Sequence, residues 1–350
     1  MNSRFMRAAR REPVDQLPVW LMRQAGRFMP EYRAIRGTGN FLDFCRDPQR
    51  CAQVMQVAVE NLGVDAAILF SDLLVVLEPL GLRVEFPPDG PQVANPIRTP
   101  DDVKQLRPLE SLEPLSYVLE AAELTRQLLP SHIPLIGFAG APFTLASYAI
   151  EGSGSKSFHL TKRFMYQHED AWFELLRLLG EAVTRFLLGQ IAAGAGAVQI
   201  FDTWVGCLSP DDYRYFVLPQ MTECFRALPA SVPSIHFATG NPALVPLMAQ
   251  AGGSVIGLDW RIRLEDAWKI LGDQAVIQGN LDPAVLLGPQ ERIRRVVTDL
   301  LHQWAGRPGY IFNLGHGVLP QTPVENVKYL VRLVHEESRR ILEQSKREVE

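Results

Sequence analysis

The sequence is poor in cysteine and lysine, and it has no long apolar run. Only four cysteines occur among 350 residues, and none of them forms a C-x-x-C pair. This usage argues against a disulfide framework and against a zinc site built from thiolates. No apolar run approaches the roughly 20 residues that a membrane-spanning helix needs. We therefore expect a soluble, cytoplasmic protein that does not bind a membrane.

The scarcity of lysine contrasts with an abundance of arginine. The chain has 6 Lys and 29 Arg against 39 acidic residues, for a net charge of −4. This balance argues against a general nucleic-acid binder. Residues 1–50 nevertheless hold ten Arg and five acids, so they carry +5 while the remainder carries −9. Arginine binds carboxylates and phosphates in a bidentate manner, so this concentration indicates an anion site. A non-catalytic anion-binding module remains an alternative on these grounds.

Short apolar runs bounded by turn residues recur eight times along the chain. Most are continuously apolar, as expected of parallel strands that are buried on both faces. Stretches of helical periodicity lie between them, most clearly at 171–194. Strand and helix alternate, which predicts a single (β/α)8 TIM-type barrel with insertions over residues 1–350. The predicted strands are 18–22, 66–70, 133–139, 197–201, 233–238, 255–260, 275–279 and 310–314.

A doubly wound open sheet is the structural alternative, but the G-x-G-x-x-G turn that it needs after its first strand is absent. Residues 85–100 contain five prolines and predict a loop or hairpin insertion. The segment 151–158 (EGSGSKSF) has Ser155 where a phosphate-binding loop needs glycine, so we expect a mobile lid or loop there. The last residues, 331–350, predict a charged and mostly exposed helix.

Polar side chains follow the predicted strands at their carboxyl ends. The active site of a (β/α)8 barrel lies where these ends meet the following loops, so we expect the side chains to converge on one rim. In chain order they are Arg23, Gln24, Gly26, Arg27, Ser71, Asp72, Thr144, Tyr148, Asp202, Thr203, Trp204, Thr239, Asp259, Arg261, Asn280, Asp282 and His316.

Six segments resemble the hallmark motifs of the uroporphyrinogen decarboxylase family and occur in the family's order. They are LMRQAGRFMPEYR (21–33), ILFSDLL (68–74), GFAGAPFTLASYAIEG (137–152), QIFDTWVG (199–206), QGNLDP (278–283) and FNLGHGV (312–318). The resemblance implies an enzyme of haem and chlorophyll biosynthesis that converts the four acetate side chains of uroporphyrinogen to methyl groups, giving coproporphyrinogen and CO2. It implies a small-molecule tetrapyrrole substrate, no metal or organic cofactor, and a homodimer.

The resemblance also implies roles for single residues. Arg23 and Arg27 are expected to bind substrate carboxylates, within a binding block that the motif extends over Gln24, Ala25 and Gly26. Asp72 is expected to receive the pyrrole N–H groups. A fixed carboxylate there would stabilise the cation that forms in the transition state more than the neutral ground state.

Three further residues complete the predicted site. Tyr148 is expected to bind a propionate or to order Asp72, and Thr203 stands where many relatives have serine and is expected to bind substrate. His316, between two glycines, is expected to bind a carboxylate or transfer a proton. The proton donor stays open among histidine, tyrosine and a bound water, because arginine is a poor acid.

Each of these residues also has an ordinary structural explanation. An aspartate at the position of Asp72 commonly caps the next helix, and an isolated arginine commonly pairs with a surface acid. A related barrel methyltransferase, zinc- or corrinoid-dependent, is the nearest functional alternative. Its zinc site would use His-x-Cys after the fifth strand, whereas this chain has Ala238 two residues after His236.

Overall fold

The structure, a computed structural model, describes residues 3–87 and 90–347. A parallel sheet of seven strands forms its centre, in the spatial order β1-β4-β5-β6-β7-β8-β9, and β2 and β3 form a separate hairpin. The strands are β1 (Ala67–Ile68), β2 (Val84–Glu85), β3 (Gln92–Val93), β4 (Leu135–Gly140), β5 (Ala197–Asp202), β6 (Ser234–Ala238), β7 (Val255–Gly257), β8 (Ile277–Leu281) and β9 (Tyr310–Leu314).

The first predicted strand, 18–22, closes this sheet into a barrel through very few backbone contacts. Val19 forms one parallel bridge with Phe312 of β9. On the other side, the Asp65 N–H, just before β1, donates to the Val19 carbonyl at 2.7 Å. The residue before Val19 is a proline, which has no N–H to donate to a ladder. The predicted barrel is therefore confirmed, with its first strand reduced to a single bridge.

Helices alternate with the strands and cover the outside of the barrel. They are α1 (Arg4–Ala9), α2 (Pro30–Arg36), α3 (Phe41–Cys45), α4 (Pro48–Leu62), α5 (Pro100–Lys104), α6 (Ser116–Leu128), α7 (Pro142–Glu151), α8 (His159–Gln167), α9 (Glu169–Ala192), α10 (Pro210–Phe216), α11 (Leu218–Arg226), α12 (Val245–Ala251), α13 (Leu264–Leu271), α14 (Gln290–Trp304) and α15 (Val324–Arg347). The helix predicted at 171–194 is confirmed as α9. Within the described part of the chain, no helix is both long and apolar enough to cross a membrane.

The predicted insertions are present. Strands β2 and β3 pair antiparallel within the proline-rich region, and Pro88 and Asp89, which come between them in the sequence, lie outside the described residues. Residues 152–158 form a loop between α7 and α8. The final helix begins at Val324, seven residues earlier than 331, and its inner face is buried against the core. The prediction of a mostly exposed helix therefore holds for its outer face alone. Residues 348–350 lie outside the described residues.

The inside of the barrel is filled by side chains. A polar layer joins opposite walls: the Trp20 Nε1–H donates to Gln278 Oε1 at 2.9 Å, and Gln278 Nε2 donates to Gln199 Oε1 at 2.9 Å. Closer to the carboxyl ends of the strands lie three rings, with Phe201 5.7 Å from Phe138 and 5.6 Å from Phe237 between centroids. Phe201 is partly exposed, so this aromatic layer forms the floor of the rim.

Candidate active site

The segment after the first strand is a loop of two turns and not a helix. The Gln24 N–H donates to the Leu21 carbonyl and the Met29 N–H to the Gly26 carbonyl. Arg23 has a left-handed backbone conformation, with φ at 61°. A Cβ on Gly26 would stand 2.8 Å from the Arg23 carbonyl oxygen, so only glycine fits at that position.

Two hydrogen bonds fasten this loop to the segment that carries His316. The Met22 N–H donates to Asn313 Oδ1 at 3.2 Å, and the Val318 N–H donates to the Met22 carbonyl at 2.9 Å. The Arg23 side chain then lies directly over Gly317. The RQAGR and GHG motifs, almost 300 positions apart in the chain, thus form one wall of the rim.

The members of the RQAGR block differ in what they offer a ligand. Arg23 and Arg27 are exposed, and neither guanidinium makes an ion pair or hydrogen bond within residues 3–87 and 90–347. Gln24 is fully buried, and its amide group is hydrogen-bonded at both ends. Its Oε1 accepts from the Leu21 N–H and its Nε2 donates to the Ala66 carbonyl, both at 3.2 Å. Ala25 is buried too. The two arginines are therefore free to bind an anion, while the side chain of Gln24 is committed to holding the loop.

Asp72 combines the capping role and a position at the rim. It caps a short 3-10 helix (Leu73–Leu77), and its Oδ1 accepts from the Leu74 N–H at 2.9 Å. Burial raises the pKa of Asp72 to about 6, although the Leu74 N–H and the positive charge of Arg23 act to lower it. The cap uses one carboxylate oxygen and leaves the other one for a ligand.

Tyr148 shares this space. Burial raises the pKa of its hydroxyl, the negative charge of Asp72 raises it further, and the charge of Arg23 opposes the shift. The Tyr148 ring lies 3.8 Å from that of Trp204 between centroids, at an angle of 31°. Thr203, the neighbour of Trp204, follows β5, and its carbonyl accepts a hydrogen bond from Thr239 Oγ1 at 2.7 Å. The structure brings the Tyr148 hydroxyl within the influence of both charges, those of Arg23 and Asp72.

His316 lies beside Arg23, in the segment that follows β9. Burial lowers the pKa of His316 to about 4, the charge of Arg23 lowers it further, and that of Asp259 opposes the shift. Its Nδ1 accepts a hydrogen bond from the Gly317 N–H at 2.7 Å. At neutral pH the ring is therefore uncharged, with its proton on Nε2. His316 offers a ligand one neutral N–H donor.

Asp259 is held in place next to His316. It accepts hydrogen bonds from the Gly240 N–H at 2.7 Å and the Arg261 N–H at 2.9 Å, and it pairs with the Arg261 guanidinium. The Arg261 guanidinium also lies over the Trp260 ring, 4.5 Å from its centroid. This pair closes the rim between β7 and β9.

Asp202 departs from the predicted convergence on the rim. Successive strand residues face opposite sides, so Phe201 points into the barrel and Asp202 points out of it. Asp202 is fully buried, and it accepts a hydrogen bond from Thr144 Oγ1 at 3.1 Å. Sequence reasoning assigned no role to Phe201, although the same alternation along AVQIFD would have placed its ring on the inner face.

The N-terminal arginines are divided between both ends of the barrel. Arg4 pairs with Asp15 at 2.7 Å and lies 3.5 Å from Asp65, which precedes β1. Arg11 packs against Gly309, which precedes β9. These side chains lie at the amino ends of the strands, opposite the rim. The local charge of +5 thus overstates the positive charge at the site, which depends on a few residues such as Arg23 and Arg27.

A metal-dependent site is not favoured by the residues present. Within residues 3–87 and 90–347, no group of three or more His, Cys, Asp or Glu side chains lies close enough to hold a metal ion. His236, the candidate for the zinc site of a methyltransferase, is fully buried with its Nδ1 3.2 Å from the Met248 carbonyl oxygen. Burial lowers the pKa of His236 to about 4.

Comparison with known proteins agrees with the residue-level resemblance. The family model for uroporphyrinogen decarboxylase (URO-D) matches residues 1–337. A uroporphyrinogen decarboxylase of Carboxydothermus hydrogenoformans is 51% identical over 96% of this chain and 97% of its own length. One of Chloroflexus aggregans is 50% identical over 95% of both chains.

Among solved structures, a methyltransferase from Methanosarcina mazei superposes with a TM-score of 0.80 at 23% sequence identity, covering 95% of this chain and 98% of its own. At this identity the likeness extends to the barrel fold alone. The family model and the curated relatives decide the assignment: this chain belongs to the uroporphyrinogen decarboxylase family.

Proposed function

We propose that the chain removes the four acetate carboxyl groups of uroporphyrinogen, giving coproporphyrinogen and four CO2, in porphyrin biosynthesis. One observation carries this proposal. The charge of Arg23 acts on the Asp72 carboxyl, and both charges act on the Tyr148 hydroxyl, at a rim whose floor is aromatic. An apolar floor suits a macrocycle, a carboxylate suits its pyrrole N–H groups, and exposed arginines suit its carboxylates.

Decarboxylation needs an acceptor for the electron pair of the C–CO2 bond. Protonation of a pyrrole ring carbon beside an acetate creates a cation, and the electrons of the C–CO2 bond flow into it as CO2 leaves. The exocyclic carbon then takes up a proton, and the ring carbon gives its proton back. Each acetate carboxylate thus consumes one proton and becomes a methyl group and CO2.

The chain's own residues act on the charges in this sequence. Ionised Asp72 stabilises the cation more than the neutral pyrrole that precedes it, which lowers the barrier. Arg23 and Arg27 bind peripheral carboxylates and orient the ring. Tyr148 and Thr203 offer hydroxyl groups to the same substrate. His316 is neutral and offers its Nε2–H as a hydrogen bond to a substrate carboxylate, because a neutral imidazole, like arginine, is too poor an acid to supply the proton.

The wider expectations belong to this proposal as well. We propose that residues 1–350 act as one catalytic domain, that the protein is a cytoplasmic homodimer, and that it works without a metal or organic cofactor. Family membership supports these statements. Sedimentation equilibrium of the purified protein tests the dimer, and a molecular mass of one chain across the micromolar range would contradict it.

The deciding experiment is anaerobic incubation of the pure protein with freshly reduced uroporphyrinogen, followed by separation of the products by the number of carboxyl groups. We expect products with seven, six, five and finally four carboxyl groups. Protein treated with a chelator should turn over at the same rate. An absence of decarboxylated product with folded protein and reduced substrate would contradict the proposal.

A further inference from the structure

Helix α7 holds Trp204, in the loop after β5, at two points. The Thr144 hydroxyl accepts a hydrogen bond from the Trp204 backbone N–H at 3.3 Å. One helical turn further, the Tyr148 ring stacks on the Trp204 ring at 3.8 Å. Residues four apart lie on the same face of a helix, so one face of α7 grips both the backbone and the side chain of Trp204.

The loop at 152–158 also contacts the Trp204 ring, through Phe158. Phe158 is buried, its ring lies 5.1 Å from that of Trp204, and its backbone is left-handed with φ at 50°. A bulky residue rarely adopts this conformation unless its surroundings fix it. Trp204 is therefore in contact with two aromatic rings, those of Tyr148 and Phe158.

Asp202 fixes the direction of the Thr144 hydroxyl. That hydroxyl has one proton and donates it to Asp202 Oδ1 at 3.1 Å, so its lone pair faces the Trp204 N–H. Asp202 is fully buried, and its Oδ2 has no hydrogen-bond partner among the described residues. Burying an unpaired carboxylate costs far more free energy than burying a neutral carboxyl group. Burial accordingly raises the pKa of Asp202 to about 7.

We infer that Thr144 and Asp202 are positioning residues: they fix Trp204 and, through it, the ring of Tyr148 and the neighbouring Thr203. Neither side chain has to touch the substrate. The inference rests on the proposed function in one respect, namely that Tyr148 binds the substrate. It adds that the position of Tyr148 is set by hydrogen bonds behind the rim.

Substitution of Thr144 tests this chain of contacts. Thr144→Val keeps the shape and removes both hydrogen bonds, while Thr144→Ser keeps the hydroxyl. We expect kcat/KM for uroporphyrinogen to fall about tenfold in Thr144→Val, as for the loss of one or two hydrogen bonds, and to stay within about twofold in Thr144→Ser. Asp202→Leu should resemble Thr144→Val, whereas Asp202→Asn keeps an acceptor oxygen and should resemble the parent.

A double-mutant cycle separates positioning from general destabilisation. If Thr144 acts through Tyr148, then Thr144→Val should cost less than about threefold in a Tyr148→Phe background. Equal costs in both backgrounds would overturn the inference. Should Thr144→Val fail to fold, the same cycle with Asp202→Leu gives the decision.

A readout without substrate distinguishes failure of this inference from failure of the proposed function. In protein labelled with 5-fluorotryptophan, the Trp204 resonance is assigned from its loss in Trp204→Phe. We expect Thr144→Val to shift or broaden that resonance and Thr144→Ser to leave it in place. An unchanged resonance in Thr144→Val overturns the positioning role even if activity falls. Full activity in Tyr148→Phe with a shifted resonance would instead contradict the proposed substrate contact.

Discussion

The side chain of Arg23 lies across the Cα of Gly317, and there is no room for a methyl group between them. A Cβ on Gly317 would stand 2.5 Å from Arg23 Cδ and 2.7 Å from its Cγ. Gly317 thereby sets where the guanidinium of a residue far away in sequence can lie. The glycine is required by this contact, since the backbone of Gly317 is not among those with positive φ.

Gly317→Ala should therefore move Arg23 without unfolding the protein, because a flexible side chain can yield. We expect a change in melting temperature of less than a few degrees and a rise in KM for uroporphyrinogen of about tenfold to a hundredfold, the range for a charge-assisted hydrogen bond. Gly196→Ala is the matched control, since a Cβ there makes only ordinary contact, 3.6 Å from Pro134. Equal effects of the two variants would refute the role of Gly317.

Asp72→Asn removes the charge of this side chain and keeps an oxygen that can cap the 3-10 helix. Asparagine caps helices about as well as aspartate, so Asp72→Asn should change the free energy of unfolding by less than about 1 kcal/mol. Turnover should nevertheless drop at least a hundredfold, because the neutral amide does not stabilise the cation. Asp72→Ala, which loses both functions, should be less stable by about 1 kcal/mol. Denaturant titration and product formation measure the two effects separately, and an active Asp72→Asn would rule out the charge.

The pH dependence of catalysis should report the same group. Burial raises the pKa of Asp72 to about 6 in the free enzyme, and the ionised form is the active one. We expect kcat/KM to be constant above pH 7 and to fall about tenfold for each unit below pH 6. In Asp72→Asn the residual kcat/KM should not show this fall below pH 6. A profile that rises on acidification would contradict the required carboxylate.

His316 should remain uncharged throughout the working pH range. Because its pKa is lowered to about 4, its ring signals should not titrate between pH 5.5 and 8. Nitrogen-15 spectra should show the Nε2–H tautomer, since Nδ1 accepts from the Gly317 N–H. The His316→Gln variant assigns the signals. A ring that titrates near pH 6.5 would show that the imidazole is solvated and cationic in part of this range.

The buried carboxyl group of Asp202 should make the free energy of unfolding depend on pH. Its pKa is raised from about 4 to about 7 on folding, so between these values the folded state holds a proton that the unfolded state has lost. The stabilising contribution of Asp202 is thus complete below pH 4 and is lost as pH rises through 7. Asp202→Asn, which does not titrate, should gain stability relative to the parent over this window. Urea titrations at pH 4.5 and 7.5 measure the difference, and a constant difference would contradict the buried proton.

The barrel was predictable because its strands are buried on both faces and therefore continuously apolar. All eight predicted runs lie where the sheet or its closing bridge requires them. The first one shows the limit of such reasoning, since PVWLM is as apolar as the others but contributes only the bridge at Val19. Apolar composition specifies burial, and it does not specify how many backbone hydrogen bonds a strand will make.

The sequence indicates which side chains follow the strands at the rim, but it says less about the contacts that these side chains make. Charge counting could not separate Arg23 at the rim from Arg4 at the opposite end, because the chain crosses the barrel between them. Nor could it find that Gln24 holds the loop from inside. The outward direction of Asp202 was accessible from strand alternation, whereas its partner Thr144 becomes visible only once α7 is packed.

The segment that carries Arg23 is also the segment that closes the barrel. Asp72 stands on the β1 side of this seam and His316 on the β9 side, with the single bridge of Val19 between them. A substrate that binds Arg23, Asp72 and His316, as proposed, would connect the two sides of this seam. Occupancy of the site and opening of the barrel should then be linked. We expect binding to slow amide exchange at Trp20 and Phe312, whose backbone hydrogen bonds close the barrel.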